Sequence, residues 1–263
     1  MTRAITNDAL AGRTAFVTGG SRNLGRAIAL ALAGAGADVA VAAHSAAAEA
    51  EETADLIRSH SCKAIALTGD VGDPSKVEAM ISEATEALGP VDILVSNASR
   101  RPRVDFLDLT IDEWDTIIRE NLSASFYLSR LVLGGMRERG YGRIILIGGP
   151  DGQRPERFRG AAHRAHCNTA KAGILGLMKA IAVEFGADGI TANAVIPGLM
   201  DTTRDLQHYP HWPLPEEELE RRVLIPRLGH PDEVADMCAF LATDSAAYVT
   251  GQTLHVSGGY LTP

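Results

Sequence analysis

Seven short, almost wholly apolar runs divide the chain, and longer segments of helical period lie between them. The runs are Thr14–Thr18, Asp38–Ala43, Ala64–Leu67, Val91–Val95, Arg143–Ile147, Thr191–Ile196 and Thr253–Val256. The intervening amphipathic segments cover 22–35, 46–60, 74–88, 112–139, 168–186 and 231–242. A strand that is apolar throughout must be covered on both faces. The alternation therefore predicts an α/β fold, a doubly wound parallel sheet of about seven strands with right-handed crossovers. No repeat, low-complexity tract or Pro/Gly/Ser linker interrupts it, so residues 1–263 are expected to form one domain. Leu199–Arg222, with Pro210, Pro213 and Pro215, is irregular. It reads as a substrate-loop insertion over the carboxyl edge of the sheet, where ligands bind in this architecture.

The 263 residues carry a formal charge of −8, with 46% apolar and 22% charged side chains. That balance argues against a nucleic-acid or anionic-membrane partner and against wholesale disorder. The three cysteines, Cys62, Cys167 and Cys238, are odd in number and have no metal-type spacing. No disulfide framework is expected. The first ten residues lack the apolar core of a signal peptide, and no run approaches the roughly 18 apolar residues of a membrane span. These features lead us to expect a soluble cytoplasmic protein acting on a small molecule.

The segment Val17-Thr18-Gly19-Gly20-Ser21-Arg22-Asn23-Leu24-Gly25-Arg26 follows the first strand and opens the first helix. A glycine turn in that position lets the backbone approach a pyrophosphate, and the helix N-terminus offers free N–H groups. Here the chain resembles the short-chain dehydrogenase/reductase family, in its 3-oxoacyl-carrier-protein-reductase-like branch, with the fingerprint T-G-x-x-x-G-x-G. Thr18, Gly19 and Gly25 match it, while Asn23 stands at the middle glycine. Asn tolerates a left-handed backbone, so the turn is expected to survive. The resemblance spans nearly the whole chain and implies a Rossmann-type fold. It places Asp70 and Val71 at the adenine and Asn97-Ala98-Ser99 after the fourth strand. Asn121 falls in an E-N-L pattern, and Pro197, Gly198 and Thr202 at the nicotinamide carboxamide. Residues 226–235 and 251–259 resemble the family's C-terminal signature. The long fifth and sixth helical segments imply a homotetramer.

Charge argues for the cofactor. A carboxylate at the end of the second strand would bond the ribose hydroxyls of NAD and repel a 2′-phosphate. This chain has His44 and Ser45 there, and Arg22 resembles the arginine that turns toward the phosphate. The expected cofactor is NADP(H) in preference to NAD(H).

The family's tetrad of Asn, Ser, Tyr and Lys is only half present. Asn121 and Lys171 are in place, with Lys171 also gripping the nicotinamide ribose. Cys167 stands at the tyrosine of Y-x-x-x-K, and the serine position falls on Gly149. A thiol is too short to reach a carbonyl placed for tyrosine, and a thiolate beside a lysine accepts protons rather than donating them. His163 and His166 precede that helix and titrate near neutrality, so either is a candidate acid, with Asp151 behind them. A helix beginning early would put His163, but not His166, on the face of Cys167 and Lys171. The H-x-x-H pairs 163/166 and 208/211 lack a third ligand, so no metal is expected. Arg100, Arg101 and Arg103, then Arg154, Arg157, Arg159 and Arg164, flank the mouth and suit an anionic or acyl-thioester substrate. His208, Tyr209, His211 and Trp212 are candidates to close over it.

Three functions compete. The first is an atypical NADP(H)-dependent oxidoreductase reducing C=O, C=C or C=N; relatives that reduce conjugated enoyl groups also lack tyrosine at this position. The second is an inactive cofactor-binding or regulatory subunit beside an active relative, in a hetero-oligomer. The third is a non-redox lyase or isomerase with Lys171, Cys167 or a histidine as base.

Overall fold

A computed structural model describes residues 8–150, 163–203 and 213–260. Its strands are β1 (Thr14–Thr18), β2 (Asp38–Ala43), β3 (Ala64–Thr68), β4 (Ile93–Ser96), β5 (Gly142–Ile147), β6 (Ile190–Pro197) and β7 (Thr253–Val256). They form one seven-stranded sheet in the order β3-β2-β1-β4-β5-β6-β7. Every neighbouring pair is parallel. This is the Rossmann-type arrangement the alternation predicts.

The period of two along each strand sorts side chains into two cores. Ala15, Val17, Val39, Val41, Ile93 and Val95 point to one face, while Phe16, Ala40, Ala42 and Leu94 point to the other. The first face is covered by α1 (Asn23–Gly34), α2 (Ala47–Arg58) and α8 (Pro231–Ala242). The second is covered by α3 (Pro74–Leu88), α5 (Ala124–Arg139) and α6 (Ala165–Phe185). Cys62, Cys167 and Cys238 are free thiols. Among the described residues no helix is long and apolar enough to cross a membrane.

Three boundaries differ from the sequence reading. The segment 112–139 is not one helix: α4 (Ile111–Ile118) passes through a π-helical turn, Arg119–Ser123, into α5. α6 starts at Ala165, three residues earlier than the pattern shows. The stretch Leu199–Arg222 contains a short helix, α7 (Glu216–Arg222), of which only Leu219 is buried.

Because β1 is paired with β2 on one side and β4 on the other, the crossovers leave in opposite directions there. That switch point opens a crevice at the carboxyl ends of β1 and β4.

Candidate cofactor and active site

At the end of β1 the Thr18 hydroxyl oxygen accepts hydrogen bonds from the backbone N–H groups of Asn97 (2.9 Å) and Ala98 (3.0 Å). Asn97 Nδ2 returns a bond to the Thr18 carbonyl at 2.9 Å. These bonds lock the glycine turn to the segment after β4. Gly19 adopts φ +65°, and a Cβ there would lie 2.9 Å from Asn97 Nδ2. Gly25 is more tightly constrained: an added Cβ would stand 2.0 Å from the Gly19 carbonyl oxygen. Only glycine permits α1 to start this close beneath the turn. Asn23 carries φ +49°, the left-handed conformation expected of the residue replacing a glycine.

The N-terminus of α1 is left open. Arg22 occupies the N-cap in extended conformation without a side-chain cap, so the first N–H groups of the helix face outward. Ser21 is buried, and its carbonyl accepts from Arg26 Nη2 at 2.9 Å. Leu24 packs against the first core. Gly20 N–H donates to Ala42 O at 3.1 Å, which sets the turn beside the end of β2. Arg22, His44 and Ser45 are exposed. Farther along the sheet edge, Asp70 accepts from Gly72 N–H at 2.8 Å, and Val71 packs on the second core. Ala98 is half-buried and Ser99 exposed at the mouth.

The segment after β6 is anchored to the C-terminal part of the sheet. A Cβ on Gly198 would lie 2.6 Å from Ser257 Cα, and Gly198 N–H donates to Val256 O at 3.0 Å. Gly229 N–H donates to Leu199 O at 2.9 Å, and Asp201 N–H to Gly229 O at 2.8 Å. Thr202, the residue expected at the carboxamide, is half-buried next to these anchors.

On the other side of the crevice, the π-helical turn presents Asn121, which is 2% exposed. Its Oδ1 accepts from Arg100 N–H at 2.9 Å and its Nδ2 donates to Arg100 O at 2.7 Å. Cys167 Sγ donates to the same carbonyl at 3.6 Å, so Asn121 and Cys167 converge on the backbone of Arg100. One turn further along α6, buried Lys171 donates from Nζ to Ile147 O at 2.7 Å. The two glycines that end β5 are not equivalent. A Cβ on Gly148 would lie 2.3 Å from Ile196 Cδ1, whereas on Gly149 its nearest neighbour is Lys171 Cγ at 3.4 Å. A Cβ at 148 would therefore have to displace the tip of Ile196, whereas among the described residues one at 149 would meet only ordinary van der Waals contacts.

The two histidines lie apart from this cluster. α6 begins after His163, so the early start needed to bring His163 onto the face of Cys167 and Lys171 does not occur. His163 is exposed, has φ +66°, and places Nδ1 against the carboxylate of Asp105. His166 is fully buried where α6 packs on α4, and among the described residues neither ring nitrogen finds a well-formed hydrogen bond. Desolvation pushes its pKa below the ordinary value, against a weaker pull from the Arg164 backbone and the Glu113 carboxylate. Of the flanking arginines, Arg100 is paired with Glu120 at 2.9 Å and Arg164 is buried. Asp151, Arg154, Arg157, Arg159, His208, Tyr209, Pro210, His211 and Trp212 lie outside the described residues. Among the described residues no group of three His, Cys, Asp or Glu could hold a metal ion. Sequence reasoning missed the Thr18 hydroxyl and the Arg100 backbone as organising groups, since both act through main-chain bonds.

A family model described as enoyl-(acyl carrier protein) reductase matches residues 19–261. The acetoacetyl-CoA reductase of Shinella zoogloeoides is 38% identical over 251 residues, covering 94% of this chain and 98% of that protein. The 3-oxoacyl-(acyl-carrier-protein) reductase of Escherichia coli is 39% identical over 252 residues, covering 94% and 97%. The chain belongs to the short-chain dehydrogenase/reductase family. It is an oxidoreductase of that family, and its likeness to solved members extends to the whole fold. A blue fluorescent protein from a metagenomic library, solved in complex with NADPH, superposes with a TM-score of 0.88 at 35% identity, covering 98% of this chain and 100% of that one.

Proposed function

We propose that this protein is an NADP(H)-dependent reductase acting on a polarised double bond of a small anionic or acyl-thioester substrate. The observation that carries the reading is the cradle under α1, where Gly25 leaves no space for a Cβ and the helix N-terminus above it is uncapped. That shape fits a dinucleotide pyrophosphate. Gly19, Ser21, Asn23, Leu24 and Gly25 would line the pyrophosphate, with Asp70 and Val71 toward the adenine. Asn97, Ala98 and Ser99 would lie along the ribose, Lys171 would hold the nicotinamide ribose, and Pro197, Gly198 and Thr202 would hold the carboxamide. Arg22, with His44 and Ser45 and no carboxylate beside it, favours a 2′-phosphate. The NADPH held by the structural neighbour supports the same choice.

The bound, reduced nicotinamide would supply a hydride. Lys171 keeps a cation beside the site, and Asn121 fixes the Arg100 segment that walls it. Gly149 and Cys167, at the family's Ser and Tyr positions, offer no hydroxyl to grip a carbonyl oxygen. This favours an acceptor that needs no clamped oxygen, a conjugated C=C or C=N over an isolated C=O. In a C=C acceptor the hydride adds to one carbon and a solvent proton to the other. The description of the matched family model, an enoyl reductase, agrees with a C=C acceptor. The two named reductases, whose names denote thioester substrates, agree with a thioester. The exposed Phe126 and Leu131 of α5 and Val183 of α6 suit the homotetramer contact, which sedimentation would measure.

Nicotinamide fluorescence titration tests the cofactor reading. NADPH should bind at least about tenfold more tightly than NADH, and Arg22→Ala should remove most of that preference. Failure of both nucleotides to bind at micromolar concentration would sink it. A 2-enoyl thioester, a cyclic imine and a 3-oxoacyl thioester then rank the acceptors.

One observation favours a second reading, an inactive cofactor-binding subunit beside an active relative. Among the described residues a Cβ at Gly149 would meet only ordinary contacts, so the glycine there is not forced by them. Lys171→Met separates the two: a reductase loses turnover, whereas a regulatory subunit keeps its effect on the partner's activity.

A further inference from the structure

The residue that replaces the middle glycine does more than tolerate the turn. Asn23 Nδ2 donates to the carbonyl of Thr203 at 3.2 Å, and Asn23 Oδ1 accepts from the backbone N–H of Thr203 at 3.1 Å. The two residues are 180 apart in sequence. The side-chain amide thus closes a reciprocal pair with the N–H and C=O of one residue, as a strand partner would. A glycine has no group with which to make either bond.

The second loop is fixed at its other end by separate contacts. Gly198 is wedged under Ser257, and Leu199 and Asp201 are bonded to Gly229. Pro197–Thr203 therefore runs from the end of β6 to the glycine turn with both ends held, and Thr202 lies immediately before the second anchor.

We propose that Asn23 is a positioning residue that ties the glycine turn to the segment carrying Thr202, so that the nicotinamide side of the cofactor site is held in place before cofactor arrives. The inference rests on the dinucleotide reading above and adds a device to it. Asn23 makes both bonds from a left-handed backbone, φ +49°. Pre-organisation of this kind lowers the ordering cost of binding for the part of the ligand that meets the tied segment, and not for the rest.

Asn23→Gly tests this with little backbone strain, since glycine accepts the same φ. The variant should bind NADPH about tenfold more weakly, yet hold 2′,5′-ADP, which lacks the nicotinamide half, within about twofold of the parent. In the cofactor-free protein the amide proton of Thr203 should exchange faster in the variant. Equal weakening for NADPH and the fragment would assign Asn23 to the turn alone and overturn the proposal. Unchanged NADPH affinity or unchanged Thr203 exchange would overturn it as well. Failure of the parent protein to bind NADPH would instead reject the dinucleotide reading, so the two failures are distinguishable.

Discussion

The two walls of the crevice are specified in different ways. On the β1–α1 side, contacts shorter than any side chain could occupy dictate residue identity: Gly25 beneath Gly19, and Gly19 against Asn97. On the β5–α6 side, the side chains meet backbone carbonyls, with Lys171 on Ile147 and Cys167 on Arg100, and among the described residues a Cβ at Gly149 would meet only ordinary van der Waals contacts. The first wall cannot take a side chain at Gly19 or Gly25 without losing its shape. The second can exchange chemistry while keeping its scaffold.

If that contrast is right, substitutions in the two walls should differ in kind. The largest effect should come from Gly25→Ala, which forces a carbon onto the Gly19 carbonyl. We expect loss of NADPH binding and a destabilisation of about 3 kcal/mol by chemical denaturation. A well-folded variant with parental affinity would show that the first wall is as plastic as the second.

Next in size is a gain. Gly149→Ser together with Cys167→Tyr should raise reduction of a 3-oxoacyl thioester by about 100-fold, the usual scale of a positioned general acid. Steady-state kinetics of the double variant against both single variants would measure it. No gain, with NADPH affinity intact, would mean that the second wall differs from its relatives in more than these two residues.

The smallest effect concerns His166. Burial lowers its pKa in the folded state, so below the ordinary histidine value near 6.5 the unfolded chain takes up the proton more readily. Stability should be fully present above that pH and decline as the pH falls. His255 is shifted the same way by its own burial, so His166→Leu should flatten the decline without abolishing it. Melting temperatures between pH 7.5 and 5.5 decide this; parallel curves for parent and variant would exclude His166 as a source of the acid sensitivity.

Much of this was legible in the sequence for a physical reason. Strands covered on both faces must be apolar throughout, so all seven were visible, and the left-handed backbone at Asn23 followed from its place in a glycine turn. What stayed hidden depends on contacts that sequence spacing does not encode. The partner of Asn23 is 180 residues away. α7 buries only Leu219, too little for an apolar stripe, although the Glu217–Arg221 and Glu218–Arg222 pairs at helical spacing were a signal that could have found it. His163 and His166 read as loop residues just before a helix, yet His166 is among the most deeply buried polar side chains.

The π-helical turn at Arg119–Ser123 has a consequence of its own. Each residue of a regular helix advances the register by about 100°, so the wider turn acts as a phase shift between α4 and α5. Asn121 reaches Arg100 because of how many residues the turn contains, and not only because of which ones. Deleting a single residue there would re-phase one helix against the other and swing the amide away, although each remaining side chain was unchanged. A point-substitution scan of the turn would miss this dependence, and only a change in chain length would expose it.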